Sequence, residues 1–260
     1  MGPGVAFPSP DALSSGLMAY LLVSLRMAGL LLLAPPLSSM VVPAPVRLAL
    51  VLALSAAVLP MAAPPVADVS LAALLQLSVL EFSSGALMAL GVNVGFAAFG
   101  VGARLLDVQV GFGIGQVLDP STRQRTPALS AAFMLVAPVV FLSTDGHHMM
   151  LRAFARGLER FPAGALWPME HTARALFQQV QALFTLGLAM VAPVVFCLIM
   201  VELGLGVMAR NLPQMNVFIM GAPIKVLSGL AALAAWMAAT SAPMMRIFES
   251  IFRGWDALFR

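Results

Sequence analysis

Charge is scarce in this chain. Only 10% of its 260 residues are Asp, Glu, Lys or Arg, against about 25% in ordinary soluble domains. So few ionic groups cannot solvate a globular surface of this size, which excludes a simple water-soluble enzyme or carrier. Cysteine is nearly absent as well. Cys197 stands alone in an apolar run, so no intramolecular disulfide framework exists and the thiol reads as a small buried hydrophobe. The stretch Met1 to Ser15 has no Lys or Arg. That excludes the basic start of a cleaved signal peptide, and the first apolar segment is expected to stay. The spacings H-E-x-x-H, G-x-S-x-G and the P-loop are missing, so no familiar catalytic or nucleotide-binding motif is present. Aromatic residues do not alternate with the basic ones, which argues against nucleic acid as a partner.

What the chain has in place of charge is apolar length. Hydrophobic residues make up 61% of it. Stretches of twenty or more residues without Asp, Glu, Lys or Arg separate Arg26 from Arg47, Arg47 from Asp68, Glu81 from Arg104, Arg174 from Glu202 and Lys225 from Arg246. A helix rising 1.5 Å per residue needs about 20 residues to cross a ~30 Å hydrocarbon core. The expected fold is therefore an all-α membrane protein of about six apolar helical segments in kinked hairpins. The segments run roughly over 13–33, 46–58, 71–103, 126–142, 177–208 and 217–242. Pro138 and Pro193 fall inside segments and are expected to kink them. Gly91-x-x-x-Gly95 offers a small-residue face for close helix approach, although it is a weak motif in a Gly-rich chain.

Orientation stays open. One set of loops and termini holds Arg152, Arg156, Arg160, Arg174, Arg246, Arg253 and Arg260, and the other holds Arg47, Arg104, Arg123, Arg125 and Arg210. Seven against five is too small a bias for the positive-inside rule to decide. The net charge of +3 fits lipid headgroups and topology.

Two polar islands interrupt the apolar map, Arg104 to Arg125 and Asp145 to Arg174. The first is Gly-rich and too long for a turn, and long loops in compact proteins are usually functional or disordered. Gly111-Phe-Gly-Ile-Gly115 lacks the strand, helix and Lys of a phosphate loop. In the second, Asp145, His147 and His148 offer metal-ligating groups, but a helix cap with interfacial histidines is the stronger reading. No metal and no cofactor is expected.

Isolated ionisable residues in apolar runs are sharper clues. Arg26, Glu81, Glu202 and Lys225 each stand in such a run. Asp, Lys or Arg at a helix centre costs about 2.5–3.5 kcal/mol on insertion scales. Arg26, Glu81 and Glu202 are therefore expected to be buried charges facing protein, a cavity or an interface. Glu202 and Lys225 flank the Arg210–Asn216 turn, so they could pair within the chain. Partner subunits are the other source of counter-charge.

The segment from Arg210 to Lys225 reads RNLPQMNVFIMGAPIK. The order P-Q-M-N-V-F followed by G-x-P-x-K is long and specific, and it resembles the signature of the flagellar biosynthetic protein FliR family, relatives of the T-type injectisome subunits. Arg26 ahead of Pro35-Pro36, Val42-Pro43 and Arg47, the run from Asp107-Val-Gln-Val-Gly111 to Asp119-Pro120, and Gly146-His147 agree with it. The resemblance covers essentially the whole chain.

That resemblance implies a non-enzymatic structural and gating subunit of the flagellar type III protein export gate. It implies a place in the bacterial inner membrane at the flagellar basal body. The implied partners are P-type and Q-type gate subunits, other membrane export subunits, lipid, and unfolded flagellar proteins as cargo. It divides the chain into a P-like part over 1–175, including the central loop, and a Q-like helical hairpin with a C-terminal tail over 176–260. A pore plug is expected at Val110 to Gln124. In it Gly111, Gly113 and Gly115 give mobility, Phe112, Ile114, Val117 and Leu118 exclude water, and Gln116, Asp119 and Pro120 complete the segment. Arg210, Pro213, Gln214, Asn216, Phe218 and Lys225 are expected at the hairpin tip, touching partners. A self-contained solute transporter, suggested by the isolated charges and Pro-broken segments, and a virulence-injectisome T-type subunit are the alternatives.

Overall fold

A computed structural model describes residues 10–35, 42–61, 70–112, 127–165, 169–211, 217–237 and 241–258. Eight α-helices occupy these stretches: α1 (Pro10–Leu33), α2 (Ala44–Val58), α3 (Leu71–Val110), α4 (Ala128–Ser143), α5 (Gly146–Arg160), α6 (Met169–Asn211), α7 (Val217–Met237) and α8 (Ser241–Leu258). A short 3₁₀ turn, Leu59–Met61, extends α2. No strand occurs among the described residues. Helix is what a lipid-solvated backbone requires, because every N–H and C=O finds its partner inside the segment.

Proline marks several starts. Pro10 opens α1, Pro43 precedes α2, and Pro127 precedes α4. Its fixed φ and missing N–H suit a helix entrance, where the N–H would have no intrahelical acceptor. Pro138, Pro193 and Pro223 instead lie inside α4, α6 and α7, each of which continues through its proline.

Among the described residues five helices are long and apolar enough to cross a membrane, namely α1, α2 with its 3₁₀ turn, α3, α6 and α7, with α4 and α5 making a sixth if they count as one broken span. Two helices lie outside the six expected apolar segments, although the cap reading of Asp145 places a helix start where α5 begins. Both α5 and α8 are amphipathic rather than apolar, so a search for long uncharged runs passes over them. In α8 the buried residues Met244, Ile247, Phe248, Ile251, Phe252 and Trp255 recur at helical spacing, the stripe of a helix that covers a core. The helical parts of both islands follow from this. Asp145 to Arg174 contains α5 and the start of α6, and α3 runs past Arg104 to Val110.

The chain forms two compact units, each with its own core. The first comprises residues 1–93, 147–177 and 252–260, and the second 94–146 and 178–251.

In the first unit, α1 lies hard against α3. A Cβ on Gly29 would meet the Phe82 carbonyl, and one on Gly85 would meet the Arg26 carbonyl. Only hydrogen fits at both places, which lets the two backbones approach as small residues do in membrane helix pairs. The Tyr20 hydroxyl donates to the Leu52 carbonyl at 3.0 Å, tying α1 to α2. Asn93 Nδ2 donates to the Leu33 carbonyl at 2.9 Å, at the end of α1.

In the second unit the core is aromatic. Phe248 sits with its ring 5.5 Å from Phe96, 5.3 Å from Phe99 and 5.2 Å from Phe141, centroid to centroid, within the range where offset and edge-to-face pairs are favourable. Here α3 and α6 approach through glycine again. A Cβ on Gly102 would stand 2.9 Å from the Gly187 carbonyl, and one on Gly187 would stand 2.6 Å from that of Ala98.

Candidate functional site

Three polar clusters stand out against the apolar background. The first joins α1 and α3 at the glycine crossing. Arg26 Nε donates to Glu81 Oε2 at 2.5 Å and Nη2 to Oε1 at 2.9 Å. Arg26 is 1% exposed and Glu81 2%. The remaining bonding capacity goes to the segment after α5, where Nη1 of Arg26 donates to the Phe161 carbonyl at 2.9 Å and Gly164 N–H donates to Glu81 Oε1 at 2.7 Å. Gly164 has φ +89°, a conformation L side chains rarely adopt. A planar guanidinium matched to a carboxylate with the spare groups bonded is the arrangement in which a buried pair tolerates low dielectric.

The second cluster is the end of α3. Val110 is its last residue and is buried. Gly111 then turns with φ +100°, its N–H bonding back to the Asp107 carbonyl at 3.1 Å, the left-handed stop for which glycine is suited. Phe112 is half-buried. The other plug residues of the expected segment, Gly113, Ile114, Gly115, Gln116, Val117, Leu118, Asp119 and Pro120, lie outside the described residues. Asp107 is fully buried and accepts three hydrogen bonds from the first turn of α4. Two residues on, Gln109 Nε2 donates to Glu202 Oε2 at 3.2 Å.

The third cluster is on the hairpin of α6 and α7. Lys225 pairs with Glu202 through Nζ and Oε1. Of the two sources of counter-charge open to the sequence, the chain itself supplies this one. Burial needs a correction, because the Glu202 side chain is 43% exposed within the chain and that of Lys225 22%. Arg26 and Glu81 are enclosed by their own unit. Elsewhere on α6 and α7, Leu203, Val207, Ile219 and Leu227 are exposed as well. Arg210 is exposed at the end of α6. Pro213, Gln214 and Asn216 lie outside the described residues, and Phe218 falls in the first turn of α7.

Sequence reasoning gave no individual role to Asp107, Gln109, Ser130 or Gly164. The only cue for Asp107 was an acid ahead of a proline-led helix start, and its partners lie more than twenty residues away. The rings of His147 and His148 lie with centroids 4.1 Å apart and planes tilted by 39°, and Nδ1 of His147 is buried with no hydrogen bond. An open apolar hollow of about 250 Å³ is lined by Pro193, Val194, Cys197, Ala232, Ala235 and Trp236. Cys197 is exposed there rather than buried, because the hollow leaves one side of α6 uncovered.

A family model described as "Bacterial export proteins, family 1" matches residues 17–251. The chain is similar to the flagellar biosynthetic protein FliR of Bacillus subtilis, 28% identical over 211 residues, covering 80% of this chain and 82% of that protein. It is 26% identical over 238 residues to FliR of Escherichia coli, covering 92% and 91%. The Yop proteins translocation protein T of Yersinia pestis is 23% identical over 147 residues, 56% of each chain.

Proposed function

The chain belongs to the bacterial export proteins, family 1, and from that premise we propose that it is a structural and gating subunit of the flagellar type III protein export gate. The observation behind the flagellar assignment is coverage. The similarity to FliR of Escherichia coli runs over 91% of that protein, whereas that to the Yersinia translocation protein runs over 56%. The subunit acts without catalysis of its own, in the inner membrane at the base of the flagellum.

It works beside P-type and Q-type subunits. Residues 1–175 form the P-like part and 176–260 the Q-like hairpin. The exposed apolar residues of α6 and α7 and the half-exposed Glu202–Lys225 pair favour this reading, since an ion pair is better covered by protein than by hydrocarbon. The hairpin tip, from Arg210 to Phe218, meets partner subunits.

The connection from Val110 to Gln124 plugs the pore at rest and withdraws to let unfolded flagellar proteins pass. Glycine stops α3 at its entrance, and its further glycines permit many backbone conformations. A chromosomal deletion of 113–124 tests this. The gate assembles, flagellar proteins are still exported, and cells leak ions. Cells that stay tight and export normally would remove the plug from the account.

A further inference from the structure

The export role proposed above gives α5 no task. Its sequence is GHHMMLRAFARGLER. Arg152, Arg156 and Arg160 recur every fourth residue, and all three are exposed. At 3.6 residues per turn, positions four apart are offset by about 40°, so the row stays on one side of the helix. His148, one turn before Arg152, opens the same row and is exposed. Glu159 is the one acid in α5, and it is exposed as well. The opposite side packs into its own unit through Met150, Ala153, Phe154 and Leu158, all buried.

Two observations say what would cover the row. The first is charge. A helix face turned to water commonly interleaves acids with bases, whereas here three guanidinium groups stand against one carboxylate. Arginine also matches phosphate oxygens with two parallel N–H donors, which a point charge cannot do. The second is place in the chain. Only Thr144 and Asp145 separate α5 from α4, an apolar helix without Asp, Glu, Lys or Arg. A chain that leaves hydrocarbon at the end of α4 is still at headgroup depth when α5 begins. A basic polar face on an amphipathic helix at that depth is the pattern of a membrane-surface contact. In α5 the apolar side is held by protein rather than by acyl chains, so the arginine row is what remains to meet the membrane.

We propose that Arg152, Arg156 and Arg160 form a docking surface for the headgroups of anionic phospholipids. The row gathers these lipids around α5 and sets the depth at which its unit sits. The proposal needs only that the chain is a membrane protein, and it stands apart from the plug and from the export role.

The test uses the full chain in its native membrane complex, reconstituted into nanodiscs of phosphatidylcholine and phosphatidylglycerol. Met149, half-buried beside the row, is replaced as Met149→Cys in a Cys197→Ala background and carries a fluorophore. Quenching by phosphatidylglycerol with a nitroxide near its headgroup is compared with quenching by phosphatidylcholine bearing the same nitroxide. Phosphatidylglycerol is expected to quench more strongly at equal content, and its advantage should shrink as salt is raised. An arginine near an anionic surface is worth up to about five-fold in affinity, so Arg152→Gln and Arg160→Gln should each lower the preference by up to that factor. Glu159→Gln should raise it, and Arg104→Gln, exposed on α3, should leave it unchanged. Equal quenching by the two lipids overturns the proposal. So does a preference that survives Arg152→Gln combined with Arg160→Gln. A label that neither lipid quenches puts water or a protein neighbour on the row and overturns it too. If a charge variant fails to accumulate, the lipid comparison and its salt dependence in the labelled parent decide by the same criteria.

Discussion

Arg26 and Glu81, fifty-five positions apart in sequence, meet in a two-pronged ion pair that neither lipid nor water reaches. The pair stands at the crossing where Gly29 and Gly85 let α1 and α3 touch. Breaking one side leaves an uncompensated buried charge. Glu81→Ala should therefore cost about 3–5 kcal/mol, whereas Arg26→Met with Glu81→Leu should be neutral or stabilising. Thermal unfolding of the purified chain in detergent checks both. A double variant less stable than Glu81→Ala would contradict the uncompensated charge as the source of the cost.

The crossing itself gives a second prediction. Gly85→Ala forces a methyl against the Arg26 carbonyl, and overpacking of this kind costs about 1–3 kcal/mol. Gly16→Ala, inside α1 with open space around it, should leave the melting temperature unchanged or raise it slightly, since Ala favours helix over Gly. Equal melting temperatures for the two variants would contradict the close approach.

Gly111 is required by its φ of +100°. Gly111→Ala should destabilise the end of α3 by roughly 1–2 kcal/mol, with Gly111→Asn milder because Asn tolerates left-handed conformations better. Hydrogen exchange at the amides of Asp107 to Val110 reads this directly. Unchanged protection in Gly111→Ala would show that the turn does not depend on glycine.

The Glu202–Lys225 pair is half-exposed in the single chain, and such pairs contribute about 0–1 kcal/mol. Lys225→Met should barely shift the melting temperature of the isolated chain, yet lower the yield of assembled gate complex. A large loss of stability in the isolated chain, with assembly intact, would make the pair an internal brace.

The sequence made some of this legible and hid the rest for physical reasons. The six apolar segments located α1, α2, α3, α4, α6 and α7, because lipid rewards continuous apolar length. Isolated Arg26 and Glu81 were marked as costly charges, and the structure encloses both. Their mutual pairing was not readable, since nothing in the local sequence of α1 refers to α3. The helices α5 and α8 escaped because their signal is a buried stripe such as Met150, Ala153, Phe154 and Leu158 among charges, not a run. Glu202 resembled Arg26 in sequence, but its exposure depends on what packs beside α6. Asp107 lay within a stretch similar to the family's central loop, and only the fold reveals that it caps a helix more than twenty residues away.

The central claim is that this chain acts as one subunit of an export gate and not alone. Affinity purification of the tagged full-length chain from its native membranes in mild detergent tests it most directly, with every co-purifying protein identified and counted. The account predicts P-type and Q-type export subunits in fixed ratio to the tagged chain. A single, monodisperse chain with no companion, able by itself to move a small solute across liposomes, would contradict it.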